Sequence, residues 1–324
     1  MCTAITYQSK DHYFGRTLDY EISFGEKIVI TPRNFKYKFR KIGEFSKHFS
    51  MIGMGIVQNE YPLYFDAINE MGVGMAGLNF PDNAHYFAEA NDKENIAPFE
   101  LIPWILGQCD SVLKAREILK NTNIINIPFS DELALSPLHW MIADKNESIV
   151  VECVKEGMRI YDNPLGVLTN NPPFDMQIFN LNNYMKLSRY TPKNAFLKDH
   201  DLDVYSRGLG GMGLPGDLSS MSRFVRATFV KENSVCDESE ESSVSQFFHI
   251  LGSVEQQRGC VSIRNSDYEI TRYTSCCNLE RKIYYYTTYN NPRVIALSLN
   301  KENLDSESLI VYPLLEKFDL LYQN

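Results

Sequence analysis

Positive charge is scarce in this chain: 32 lysines and arginines stand against 41 aspartates and glutamates, for a net charge of −9. That balance excludes a function built on a basic face for polyanions such as nucleic acid. No apolar run approaches the roughly 20 residues needed to span a bilayer, so no membrane role is expected. The first ten residues lack a charged stretch followed by a greasy one, so no secretory signal is expected either, and the expected compartment is the cytoplasm. The seven cysteines are odd in number and form no C-x-x-C pair, which argues against a disulfide framework. Adjacent Cys276 and Cys277 would point to opposite faces of a strand and cannot bridge each other there. The six histidines show no H-x-x-x-H or H-x-H spacing, so no metal is expected. His139 and His249 sit in apolar company and read as packed core imidazoles, leaving no histidine as an obvious partner for a catalytic thiol. With no internal repeat and no long linker, residues 1–324 read as a single domain.

What the chain does have is a mixed pattern with strands clustered towards both ends. Residues 26–31 alternate and stop at Pro32, and 51–57, 63–68 and 73–80 follow as strands broken by turn residues. Pro98 opens a helix to Leu106, and Asp110 or Ser111 caps a second one in which Val112, Ala115, Ile118 and Leu119 recur at helical spacing. A hairpin spans 148–161, and 166–170 extends the sheet. Two helices near 220–230 and 243–256 flank an acidic stretch, Asp237 to Ser242, which reads as an exposed loop. A last hairpin, 283–289 with 294–299, turns at Asn290 to Arg293. The expectation is an α+β fold of two antiparallel sheets packed face to face with helices outside.

The most informative residue is Cys2. Loss of Met1 would give one residue both a thiol and a free α-amine, groups whose ordinary pKa values lie near about 8 to 8.5. Such an amine can take the thiol's proton and later return it to a leaving group. A cysteine at position 2 can also be an accident of translation, so other residues must support the reading. Arg16 and Asp19 lie on a stretch that can return beside a strand holding Cys2, where the carboxylate would orient the amine and the guanidinium would favour the thiolate. A surface ion pair is the competing reading. Asn79 and Asn170 are amides at strand ends, placed to hold an oxyanion, or simply to cap turns, as Asn171 before Pro172 does. Arg223 follows Ser219–Ser220 into a helix's first turn, where a cation is mildly disfavoured, so its use lies elsewhere. Gly208 to Gly213 matches G-x-G-x-x-G, but a polar stretch precedes it and Leu214-Pro215-Gly216 follows, so it reads as a loop beside a site and no nucleotide cofactor is expected. The sequon at Asn146 has no use in a cytoplasmic chain.

These segments together resemble the choloylglycine hydrolase family of bile salt hydrolases and penicillin V acylases, within the N-terminal nucleophile superfamily. The resemblance runs from Met1-Cys2-Thr3-Ala4 through Tyr13-Phe14-Gly15-Arg16, Gly74 to Pro81, Gly166 to Asn170 and Gly213 to Asp217, ending at Ser222-Arg223-Phe224. It implies a four-layer αββα sandwich, loss of Met1, amide hydrolysis without a cofactor, and a homotetramer. It further implies Cys2 as nucleophile, with Arg16, Asp19, Asn79, Asn170 and Arg223 around it. Conjugated bile salts of the glycocholate and taurocholate type are the implied substrates. Asn79 stands where typical penicillin V acylases in the family carry Tyr, which favours the bile-salt branch. A penicillin V acylase, or a non-catalytic binder of steroid acids, are the alternatives. Leu18, Tyr20, Phe65 and Phe129 are the candidate walls for a steroid, and each can equally be ordinary core. Tyr205-Ser206-Arg207-Gly208 resembles a loop of taurine-preferring relatives, which makes Ser206 and Arg207 candidates for holding a sulfonate, with a solvated loop charge as the other reading of Arg207.

Overall fold

The computed structural model describes residues 1–264 and 266–324. Two large antiparallel sheets form their framework. The first has six strands and is built around Cys2–Gln8 and His12–Tyr20, which pair with each other and, outward, with Val167–Leu168 on one side and Ile270–Asn278 on the other; Ile283–Thr288 and Asn291–Ser298 complete it. The second has eight, with Gly74–Asn79 near its centre between Leu138–Ala143 and Tyr61–Asn69. The sheets pack face to face. Helices Leu101–Leu106 and Val112–Lys120 cover the outer side of the eight-stranded sheet, and Ser220–Asn233 and Glu240–Gly252 cover the six-stranded one. This is the αββα sandwich expected.

Alternation along the strands produces these layers. In the eight-stranded sheet, Ile52, Ile68, Leu78 and Met141 point between the sheets, while Met51, Ala67, Met75, Trp140 and Ile142 point to the helices. Strand Ser148–Val154 is buried throughout because it is covered on both faces. The sheets approach so closely that a Cβ on Gly74 would sit 2.6 Å from the Phe14 ring.

Several local expectations are corrected. His249 is exposed on its helix rather than packed in the core. The acidic stretch is only half a loop: Ser239 caps the helix beginning at Glu240 by accepting from the Ser242 N–H, and Glu240 and Glu241 gain from the helix's positive end. The last hairpin turns more tightly than its polar residues indicate, since Asn291 already pairs with Thr288, and the register then shifts past Pro292 on the sheet edge before Ile295 pairs with Tyr286. The first turn of the 98–106 helix is 3-10. Ser111, not Asp110, caps the next helix, accepting from the Lys114 N–H at 3.2 Å. The strand Leu138–Ala143 was not anticipated, and Ile270–Asn278 was foreseen only at its two cysteines; the first is largely apolar and the second buries Thr271, Thr274, Ser275 and Asn278, so neither shows a period of two between core and solvent.

Candidate active site

Strand register places the centre. Cys2 opposes Leu18 and Ala4 opposes Arg16, so these four share the face turned to the second sheet. Asp19, three residues after Arg16, falls on the other face. The two are therefore no surface ion pair: both are fully buried and each has its own partners. Asp19 accepts from Thr271 Oγ1 at 2.7 Å and Thr17 Oγ1 at 3.2 Å. Arg16 donates to the carbonyls of Gly77 at 2.5 Å, Phe65 at 3.2 Å and Thr17 at 3.1 Å. Its Nη2 has no hydrogen-bond partner among the described residues. Burial works against the Arg16 charge, but the pull of Cys2, Tyr273, Asp66 and Asp19 outweighs it and holds the pKa above the ordinary arginine value.

Asn170 and Arg223 close the site from the helix side. The Cys2 N–H donates to Asn170 Oδ1 at 2.8 Å, and Arg223 donates to that same oxygen at 2.7 Å and to the Cys2 carbonyl at 2.6 Å. Arg223 also donates to Thr3 Oγ1 at 2.6 Å, so the guanidinium holds the Cys2 carbonyl directly and the Cys2 N–H through Asn170. Asn170 Nδ2 donates one hydrogen to the Asn79 carbonyl at 2.7 Å, which leaves its second hydrogen available. The strand-end amides are thus joined to each other. With Met1 in place the ammonium is Met1's, and it meets Glu269 and the Asp19 carbonyl, while the Cys2 nitrogen is a peptide N–H that faces Asn170 Oδ1. Glu269 was missed because nothing in Tyr268-Glu269-Ile270 sets it apart from a surface residue.

Beside Cys2 opens a cavity of about 420 Å³. Cys2, Arg16 and Asn79 lie on its wall, and so do Leu18, Tyr20, Phe65 and Phe129. Phe24 and Phe99 were not anticipated. They pair with the expected residues, Phe24 with Phe65 at 5.7 Å between ring centres and Phe99 with Phe129 at 5.1 Å. Residues 128–138 supply one whole side. Ser206 and Arg207 are not brought to this cavity. Both are exposed on a peripheral segment, and Ser206 Oγ donates to the Arg207 carbonyl at 3.1 Å. The glycine-rich stretch forms a short 3-10 turn at Leu209–Gly211 with no strand before it. Chemically, the site offers a thiol, a buried cation, amide donors and an apolar hollow. Among the described residues no three His, Cys, Asp or Glu side chains gather as a metal-ligand set.

Comparison with known proteins meets this geometry. A family model described as linear amide C-N hydrolases, choloylglycine hydrolase family, matches residues 2–312. The chain is 58% identical over 314 residues, 97% of each sequence, to a bile salt hydrolase/transferase of Lactiplantibacillus plantarum. Among solved structures it is similar to the C2A mutant of the conjugated bile acid hydrolase from Clostridium perfringens, with a TM-score of 0.93, 38% identity and full coverage of both chains. A penicillin V acylase from Agrobacterium tumefaciens shares the fold, with a TM-score of 0.76 at 19% identity over 96% of this chain and 90% of that one.

Proposed function

The chain belongs to the choloylglycine hydrolase family of linear amide C–N hydrolases, and we propose that it cleaves conjugated bile salts, with Cys2 as the nucleophile after Met1 is removed. The observation that carries this reading is that Cys2 and the buried Arg16, whose Nη2 has no hydrogen-bond partner among the described residues, both line one aromatic-walled cavity. A fused-ring steroid suits such a hollow, since its burial gains about 25 cal/mol per Å² of apolar area. The thiolate attacks the amide carbonyl joining the steroid acid to glycine or taurine. The resulting oxyanion is held by Asn170 Nδ2 and the backbone N–H of Asn79. The Cys2 ammonium gives its proton to the departing amine as the C–N bond breaks, leaving a thioester. Water then attacks the thioester, giving a proton to the amine, and the free steroid acid leaves with the thiol restored. Arg16 favours the thiolate, and Arg223 with Asp19 holds the frame. The whole chain acts as one unit. Exposed Phe179, Met185, Tyr190, Phe196 and Tyr205 support association with further copies, and the homotetramer is the family's arrangement carried over here. Asn79 in place of a bulkier Tyr supports bile salts over penicillin V.

The test is a hydrolysis panel of glycocholate, taurocholate and penicillin V, run on the processed chain, Cys2→Ala and a form shown by mass spectrometry to retain Met1. Conjugated bile salts should be cleaved with much higher kcat/KM than penicillin V, and only by the processed chain with Cys2. Preference for penicillin V would overturn the substrate, full activity with Met1 attached would overturn the mechanism, and binding without cleavage would identify a steroid-acid binder. Taurine preference through Arg207 is read from the ratio of the two bile-salt rates in Arg207→Ala, and an unchanged ratio rejects it.

A further inference from the structure

Behind the amides that face the substrate lies a buried pair, His139 and Glu152, both completely out of solvent. They stand on neighbouring strands, Leu138–Ala143 and Ser148–Val154, of the eight-stranded sheet. His139 Nε2 lies 2.9 Å from the carbonyl oxygen of Thr169, the residue before Asn170. A carbonyl only accepts, so Nε2 carries a hydrogen. On the other side of the ring, Nδ1 lies 3.0 Å from Glu152 Oε1, which also accepts the Phe174 N–H at 3.0 Å. With Nε2 donating, the Nδ1 contact is a hydrogen bond in either of two proton placements, an imidazolium N–H on a carboxylate or a neutral ring accepting from a protonated carboxyl, and both fix the ring's orientation. The ring face stacks on Phe80, with centres 4.3 Å apart and planes within 5°. Phe80 directly follows Asn79. One imidazole therefore touches both chain segments that supply the oxyanion donors, holding Thr169 by a hydrogen bond and Phe80 by its face.

We infer that His139, oriented by Glu152, is a positioning residue that sets the separation and aim of Asn79 and Asn170. It touches no reacting atom. The inference rests on the reading that these two asparagines hold the oxyanion. Donor placement matters most when negative charge develops on the carbonyl oxygen, so loosening it slows turnover more than it weakens substrate binding. His139→Phe keeps the aromatic stack but cannot donate to Thr169, whereas His139→Gln can.

The experiment compares these variants with wild type for taurocholate and glycocholate, together with melting curves and the rate at which iodoacetamide alkylates Cys2, followed on the N-terminal peptide. Alkylation needs no oxyanion donor. In His139→Phe, kcat should fall about ten- to a hundredfold with KM within about twofold, while Cys2 alkylation stays within about twofold of wild type. His139→Gln should recover kcat to within about threefold of wild type. Should the Phe variant fail to fold, Glu152→Gln carries the test, with kcat about three- to tenfold lower at unchanged KM. A folded His139→Phe with normal kcat, a Gln variant as impaired as the Phe one, KM rising in step with the loss, or unchanged kcat in Glu152→Gln when the Phe variant does not fold would each overturn the inference. Wild-type turnover in the same assay reports on the hydrolase reading separately, and an inactive wild type would remove both.

Discussion

Arg223 directs four of its five N–H donors at oxygens around Cys2: the carbonyls of Leu218 and Cys2, the Thr3 hydroxyl and the Asn170 amide oxygen. Full burial pulls its pKa below the ordinary arginine value, and Asp19, Cys2 and Glu269 offset part of that pull. An arginine keeps its proton even so, and its fixed fork reaches all four oxygens at once. Lysine offers a compact point charge that cannot span them. Arg223→Lys should therefore lose about a hundredfold or more in kcat, with a smaller change in KM, in steady-state hydrolysis of taurocholate. The cost of placing a cation in a helix's first turn is only about 0.3–1 kcal/mol at exposed sites, which four charge-assisted bonds exceed.

The cavity is walled by both a strand and a connection. Phe65 lies in the strand Tyr61–Asn69, and Phe129 belongs to the connection leading into Leu138–Ala143. Arg40 holds that connection from outside, lying 5.5 Å from the centres of both Phe99 and Phe129 and donating to the Phe129 carbonyl at 2.6 Å. Truncating either phenylalanine removes apolar wall without touching Cys2, so Phe65→Ala and Phe129→Ala should raise KM about three- to tenfold and change kcat less. A parallel loss in kcat at unchanged KM would place these rings in the chemistry instead. A second element-level device joins the end of the Tyr61–Asn69 strand to its surroundings. Glu70 accepts from Arg33 Nε at 2.9 Å and from the Ser50 N–H at 2.8 Å. Burial pushes its pKa up, but the Arg33 and Ser50 hydrogen bonds win and hold it below its ordinary value of 4.5. A carboxyl lowered in the folded state contributes stability above its unfolded pKa and loses that contribution as pH falls through the folded one. Glu70→Gln should thus cost about 1–2 kcal/mol near neutral pH, and the difference in urea denaturation should shrink below about pH 4.

Across the whole molecule, the site depends on two sheets held at a fixed distance. Phe14 of the first sits against Gly74 of the second, where any side chain would strike its ring. The same two strands carry Arg16 and Asn79. Gly74→Val should destabilise the protein by about 1–3 kcal/mol through overpacking, seen as a lower urea midpoint. Combining it with Phe14→Leu should return part of that loss, because the two positions share one contact. Independent, additive effects would show that the sheets adjust elsewhere.

Chemical identity was legible in the sequence. The thiol at position 2, the amides at strand ends, the cation in a helix's first turn and the aromatics near loops are each marked by a residue type out of its usual place. The two-sheet architecture followed from period-two strands with helices between them, and its boundaries held to within a few residues where turn chemistry was strong. What the chain order could not express was which face each residue takes and which distant residue it meets. Only register separates Arg16 from Asp19 across one sheet, and only the sandwich brings Glu269 to the N-terminus and Arg223 to Cys2. His139 looked like core because its neighbours are apolar. Its hydrogen bonds to Glu152 and Thr169 exist only once three distant segments have packed. Side-chain type is local, but a hydrogen bond needs a partner within about 3 Å, and long-range strand pairing alone decides who that partner is.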